Sequence, residues 1–336
     1  MQPVTVSYKP PQKARHFLKV SDFTATELRT VIGRGQEMKL RNDPAYRPLQ
    51  GYTLAMLFGK SSTRTRVSFE VAMAQLGGHA LFLSPRDIQL GRGEPLADTA
   101  RVISSMCNAI MVRNNSQSEQ EQMARYSKVP VINGLSDRHH PCQLLADIQT
   151  WFEQRGDIQG RTVAWIGDGN NVCNSWIEAA RLLNFKLRVA CPEGYEPGKN
   201  LVDAASGHVE IMRDPRFAAE GADLLVTDVW TSMGQEEDNA VRLAAFKDFQ
   251  VNAGLMQMAK KDALFMHCLP AHRGEEVTAE VIDGRQSVVW AEAENRLHAQ
   301  KALIEFLLVP ASLIPQAQTT QANTNLTLTG QWKVEP

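Results

Sequence analysis

The sequence predicts an α/β protein of two doubly wound domains with largely parallel sheets. Three observations carry this expectation. Short apolar runs alternate with longer amphipathic stretches, the pattern of βαβ units. The 336 residues suffice for two domains of ordinary size. Near mid-chain, over 154–160, a polar glycine-containing loop interrupts the pattern.

The apolar runs predict strands over 53–58, 80–83, 109–112 and 129–132 in the first half. In the second half they predict strands over 162–166, 186–190, 224–227, 264–267 and 287–290. Helical spacing predicts helices over 65–76, 96–106, 142–153, 174–183 and 294–308. The expected division is one domain over 1–153, a second over 154–309 whose last helix can pack back on the first, and a tail over 310–336. The tail is rich in Gln, Thr, Asn and Pro, lacks apolar periodicity and reads as loosely attached. There is no internal repeat.

Composition narrows the class. A hydrophobic share of 43% can build a sizeable core, and a net charge of −1 gives no global reason to expect nucleic acid or an anionic membrane as partner. No stretch approaches the ~20 apolar residues that span a bilayer, and residues 1–17 lack the apolar centre of a secretory signal. The cysteines (Cys107, Cys142, Cys173, Cys191 and Cys268) are few and widely spread, with no CxxC pair. They predict a reducing, cytoplasmic setting and no structural zinc.

Ligands of such sheets bind at the carboxyl ends of strands, so the residues that follow each strand are the candidates. After 53–58 comes Ser62-Thr63-Arg64-Thr65-Arg66 and then a helix on which Val67, Val71 and Ala74 share a face. A helix N-terminus offers unpaired N–H groups and a positive dipole end, and arginine adds a bidentate fork for phosphate. Taken alone, the segment reads more readily as a capped helix with two solvated arginines. Arg113 ends the run over 109–112, and His140-Pro141-Cys142-Gln143 opens the helix after 129–132. An Arg and a His at strand ends can polarise a carbonyl; taken alone, a surface charge explains the Arg, and an ordinary loop pair, His139-His140, is the preferred reading of the His.

In the second half, Asn170-Asn171 follow 162–166, and Asp228 opens Asp228-Val229-Trp230-Thr231-Ser232-Met233-Gly234. His267-Cys268-Leu269-Pro270 follows 264–266, and Arg296 lies in the last helix. An α-amino acid needs a donor for its carboxylate and an acceptor for its ammonium, and Asn171 and Asp228 are suitable types. Cys268 can orient or deprotonate an amine if its thiol pKa allows. Singly, each of these has a plain alternative: a helix cap, a packing Met, a buried Cys as small apolar filler.

Together the motifs resemble the aspartate and ornithine carbamoyltransferase family, and its ornithine branch in particular. Ser62-Thr63-Arg64-Thr65-Arg66 looks like the family's carbamoyl-phosphate signature, and His140-Pro141-Cys142-Gln143 like its HPxQ motif. The run from Asp228 to Gly234 looks like the ornithine-closing loop, and His267-Cys268-Leu269-Pro270 like the HCLP motif. The match runs from about His16 to Leu308. It implies transfer of a carbamoyl group from carbamoyl phosphate to the δ-amine of ornithine, with no metal or organic cofactor.

The resemblance puts Ser62, Thr63, Arg64, Thr65, Gln89, Arg113, His140, Gln143, Cys268, Leu269 and Arg296 on carbamoyl phosphate, with Arg113, His140 and Cys268 as catalytic residues. It puts Asn171, Asp228, Ser232 and Met233 on ornithine. Gln89, in Asp87-Ile88-Gln89-Leu90-Gly91, matches a loop that reaches a neighbouring subunit's site, which implies a homo-oligomer, a trimer in the family's manner. Aspartate-specific relatives lack the Ser-Met-Gly loop, and putrescine has no α-carboxylate to bind.

Two other classes stand beside this one. Gly167-Asp168-Gly169 between strand and helix hints at a dinucleotide-binding oxidoreductase, but position 172 is Val and no acid ends the run over 186–190. A catalytically silent binding paralogue would show eroded motifs, and these are intact.

Overall fold

The computed structural model describes residues 14–84, 93–231 and 239–314. Its first half comprises α1 (Ala25–Arg41), β1 (Thr53–Phe58), α2 (Thr63–Gln75), β2 (His79–Leu83), α3 (Leu96–Met106), β3 (Ala109–Arg113), α4 (Gln117–Tyr126), β4 (Val131–Leu135) and α5 (Pro141–Arg155). The second half runs β5 (Thr162–Ile166), α6 (Asn171–Leu183), β6 (Lys186–Ala190), α7 (Lys199–Ala204), β7 (Val209–Met212), α8 (Pro215–Ala219) and β8 (Leu224–Thr227). It continues with α9 (Asn239–Phe246), α10 (Ala253–Met258), β9 (Leu264–His267), α11 (Ala279–Ile282) and α12 (Val289–Leu308).

The strands form two parallel sheets, in the orders β2-β1-β3-β4 and β7-β6-β5-β8-β9. Parallel strands covered on both faces need uninterrupted apolar runs. Leu54–Phe58 and Val163–Ile166 are such runs, buried throughout. Each sheet reverses its winding at its centre, between β1 and β3 in one and between β5 and β8 in the other. The strand ends splay apart there and leave a crevice.

The structure corrects several expectations. Strand β4 begins at Val131 instead of 129, because Pro130 has no N–H to give to a ladder. It runs on through Asn133, whose buried amide donates to Leu18 O and Ser136 Oγ. The expected strand over 287–290 is absent: Ser287 makes a single bridge to Phe265, and Val289 opens α12. There, burial of Val289 against the second sheet's core overrides a local β preference. Strand β7 and helix α1 were not anticipated. Helix α1 is nevertheless well specified: Thr24 and Glu27 form a capping box, Leu28, Val31, Ile32 and Met38 form its buried stripe, and Asn42 ends it in the left-handed region.

The face of α2 carrying Val67, Val71 and Ala74 is the outer one. Thr65, Ser68, Phe69, Ala72 and Met73 are buried instead, and Val67 is 52% exposed. Helix α12 crosses back to the first half and packs on α5, α1 and α2. Polar ties hold it there: Arg34 to Glu305 at 2.8 Å, Lys39 to Asn295 at 2.8 Å, and Lys301 to Gln75 at 2.8 Å.

Candidate active site

The crevices of the two sheets face one cleft of about 820 Å³. Its first wall grows from the ends of β1 and β3, tied together by the Gly59 N–H donating to Arg113 O at 2.7 Å. Ser62 caps α2, its Oγ accepting the Thr65 N–H at 3.3 Å. Thr63 and Arg64 form the first turn, so free N–H groups and the helix dipole point into the cleft.

Thr65 is the hub beneath them. Its Oγ1 lies 3.1 Å from Ser62 Oγ, 3.1 Å from Arg113 Nη1 and 3.4 Å from Arg296 Nη2. Arg113 and Arg296 are buried, and Arg64 stands beside them. Burial, then repulsion from Arg296 and Arg64, pushes Arg113 down to about 10, so it stays ionised at neutral pH. Among the described residues its Nε has no hydrogen-bond partner. Three cations brought together in this way have the chemistry of an anion cradle.

His140 and Gln143 enter from the start of α5, where Pro141 suits the first helical position. The His140 N–H donates to Ser175 Oγ of α6 at 2.9 Å, tying this turn to the second half. Burial, with Arg296, Arg113 and Arg64 nearby, holds the imidazole well below its ordinary pKa. It is therefore neutral and can donate a hydrogen bond without adding charge. Gln143 Oε1 accepts from Arg296 Nη1 at 2.7 Å.

The second wall comes from the ends of β5, β8 and β9. Asn170 caps α6, with Oδ1 accepting from the Val172 and Cys173 N–H groups and Nδ2 donating to Asp228 Oδ2 at 2.8 Å. Asn171 lines the cleft and donates to Ser136 O at 2.8 Å. Cys268 Sγ lies 3.1 Å from Asp228 Oδ1. Burial and Asp228 raise this thiol well above its usual pKa, so Cys268 is a neutral donor and not a base. Leu269 has a positive φ of 56°, a rare and strained state for a bulky residue. Its N–H is held at 2.9 Å by His267 Nδ1, whose other ring nitrogen faces Glu276 at 3.1 Å.

Ligand-type atoms of Asp228, His267 and Cys268 lie within 4.8 Å of one another. The internal bonds just described already engage all three. Gln89, Ser232 and Met233 lie outside the described residues. The other residues that the resemblance puts on carbamoyl phosphate or ornithine all line this one cleft.

Other cleft features escaped the sequence reading. Asp168 is ion-paired with Arg242, and burial raises it to about 6 despite that partner. The Arg242 guanidinium sits 4.9 Å from the centre of the Tyr195 ring. The Gly167-Asp168-Gly169 turn thus serves packing: a Cβ at Gly169 would stand 2.2 Å from Pro197 N, a backbone atom that cannot step aside. Gly169→Ala is expected to cost about 1–3 kcal/mol of stability by overpacking and to disturb the cleft that this turn lines. Calorimetry and steady-state kinetics check both.

The fold and cleft define a class: an α/β group-transfer enzyme with a cationic wall on one sheet facing a carboxylate- and amide-lined wall on the other. Family models agree. Residues 15–153 match the carbamoyl-phosphate-binding domain of aspartate/ornithine carbamoyltransferase, and residues 159–307 match its aspartate/ornithine-binding domain. The chain belongs to the aspartate/ornithine carbamoyltransferase family.

It is 63% identical over 296 residues to an ornithine carbamoyltransferase of Methylococcus capsulatus, covering 88% of this chain and 99% of that one. It is 59% identical over 296 residues to the anabolic ornithine carbamoyltransferase of Pseudomonas aeruginosa, covering 88% and 97%. The crystal structure of an ornithine carbamoyltransferase from Burkholderia thailandensis is similar with a TM-score of 0.82 at 54% identity, covering 88% and 99%.

Proposed function

We propose that this chain transfers the carbamoyl group of carbamoyl phosphate to the δ-amine of L-ornithine, giving L-citrulline and phosphate. The observation that carries the reading is the opposition, across one cleft, of the Arg64, Arg113 and Arg296 cluster to Asp228. An anionic donor suits the first and an ammonium-bearing acceptor the second. Relatives about 60% identical bear the same activity in their names, and the anabolic one favours a role in arginine synthesis.

In this reading residues 1–153 form the carbamoyl-phosphate domain, 154–309 the ornithine domain, and 310–336 a tail. Ser62, Thr63, Arg64 and Thr65 hold the phosphate, with Gln89 of a neighbouring copy and Arg296. Arg113, His140 and Gln143 bind and polarise the carbamoyl carbonyl. Asn171 and Asp228 take the α-carboxylate and α-ammonium of ornithine, with Ser232 and Met233 covering it. Cys268 and Leu269 stand beside the reacting atoms.

The neutral δ-amine attacks the carbonyl carbon. Negative charge builds on the carbonyl oxygen, where fixed donors stabilise it without reorganising. The intermediate expels phosphate, which can itself accept the amine's proton.

A homo-oligomer, most simply a trimer, fits this reading. Exposed apolar side chains available to such contacts include Val67 on α2 and Leu81 on β2, an edge strand of the first sheet. The five cysteines are unpaired, which favours a reducing cytoplasmic setting. No helix of the described residues is long and apolar enough to cross a membrane.

Colorimetric citrulline assays with ornithine, putrescine, N-acetylornithine and aspartate test the reading side by side. Ornithine alone is expected to turn over well. A larger kcat/KM for putrescine would overturn the assignment of the second wall.

A further inference from the structure

The amide of Gln143 is held between α5 and α12. Its Oε1 accepts from Arg296 Nη1 at 2.7 Å, while its Nε2 donates at 2.9 Å to Asp147 Oδ1 and at 2.9 Å to Glu292 Oε1. Turned by half a rotation, the amide would aim its NH2 at a guanidinium and its oxygen at two carboxyls. The carboxyls therefore decide which way it points.

Glu292 does a second thing. Its Oε2 accepts the His267 N–H at 2.9 Å, one residue before Cys268. Glu292 thus touches the side chain that bonds Arg296 and also the strand end that carries the thiol. Asp147 and Glu292 are each 1% exposed and are in hydrogen-bond contact with one another. Two carboxylates so close and so buried cannot both ionise, so a proton is retained between them. Burial pushes both acids above the carboxylate range, and the contact with Asp147 pushes Glu292 the further of the two. The charged or titratable groups facing the pair are Arg296 on α12, Asp228 beyond β8 and Cys268 beyond β9.

We propose that Asp147 and Glu292, joined by one proton, are positioning residues for carbamoyl transfer: they orient the Gln143 amide toward Arg296 and, through the His267 N–H, keep the Cys268 turn in register with it. The inference rests on the carbamoyl-transfer reading given above. A pair that merely filled the seam between α5 and α12 would affect stability and leave turnover alone.

The two neutral variants differ in a way that tests this. In Asp147→Asn, the side-chain oxygen can still accept from Gln143, and the new NH2 can donate to Glu292, which gives up the shared proton and accepts as a carboxylate, so the site keeps its single negative charge. In Glu292→Gln, both oxygens of the acid had been acceptors, for Gln143 Nε2 and for the His267 N–H. One of those donors must then face an NH2. The full-length enzyme should keep kcat within roughly 3-fold in Asp147→Asn and lose roughly 5- to 100-fold in Glu292→Gln, the range expected when a buried donor is left unpaired.

The measurement is kcat, KM for both substrates and Tm for parent and variants. Equal losses in the two variants, or parental kcat in Glu292→Gln, would overturn the proposal. If Glu292→Gln does not fold, Asp147→Leu compared with Asp147→Asn decides: the Asn variant must retain the turnover that the Leu variant loses. A parent enzyme that makes no citrulline would instead refute the transfer reading, and that is seen before any variant is assayed.

Discussion

Replacing Arg113 with alanine should slow citrulline formation by roughly 100- to 1,000-fold, about 2.7–4 kcal/mol of transition-state stabilisation, the usual cost of one oxyanion donor. The protein should stay folded. Arg113 is buried with little to hold it: one bond from Nη1 to Thr65 at 3.1 Å and a long one to Gly134 O at 3.5 Å. It is also repelled by Arg296 and Arg64. Removing the charge relieves that repulsion, which offsets part of the lost packing. The expected signature is a collapse of kcat with a Tm close to the parent's, read by citrulline assay and calorimetry. Near-parental kcat would remove Arg113 from the chemistry, and a large fall in Tm would mean its role is structural. Sites built this way trade stability for function.

Asp228→Asn should act on the other substrate. Its two oxygens receive Asn170 Nδ2 at 2.8 Å, the Val229 N–H at 2.8 Å and Cys268 Sγ at 3.1 Å, all in a buried setting. An amide there must turn an NH2 toward at least one donor, and it carries no charge for an ammonium. Truncating a buried charge pair costs about 2–5 kcal/mol. The ornithine KM should therefore rise by roughly 100-fold or more, while the carbamoyl-phosphate KM stays near the parental value. An unmoved ornithine KM would show that Asp228 only shapes the turn after β8.

These residues were legible in the sequence because of where they stand. Strands β1, β5, β8 and β9 are short apolar runs with clear ends, so whatever follows them falls at the mouth of a sheet. Ser62, Asn171, Asp228 and Cys268 are found that way. Strand β7 escaped because it lies at a sheet edge and carries Glu210 amid half-exposed neighbours, which blurs the apolar run. The outward face of α2 misled for a related reason. Val67 and Val71 look like a core stripe, yet the inner face is built partly of Thr65 and Ser68, whose burial depends on hydrogen bonds and not on apolarity.

Buried acids are hardest to read. Asp147 and Glu292 sit on helices where carboxylates are usually solvated. Only the tertiary fold brings residues 145 positions apart into contact across Gln143. The same holds for Asp168 and Arg242, which are separated by 74 positions.

Helix α12 sets an order on how this molecule can be made. Glu292 and Arg296 are supplied by the last long helix, yet they complete a site whose other cationic members lie at Arg64 and Arg113. On the ribosome, the first sheet emerges long before α12, leaving the surfaces of α1, α2 and α5 that it will cover without their partner. The anion cradle therefore cannot assemble until nearly the whole described chain has been synthesised. A chain stopped before Val289 would lack both the helix that closes the first half and two of the side chains that tune its chemistry.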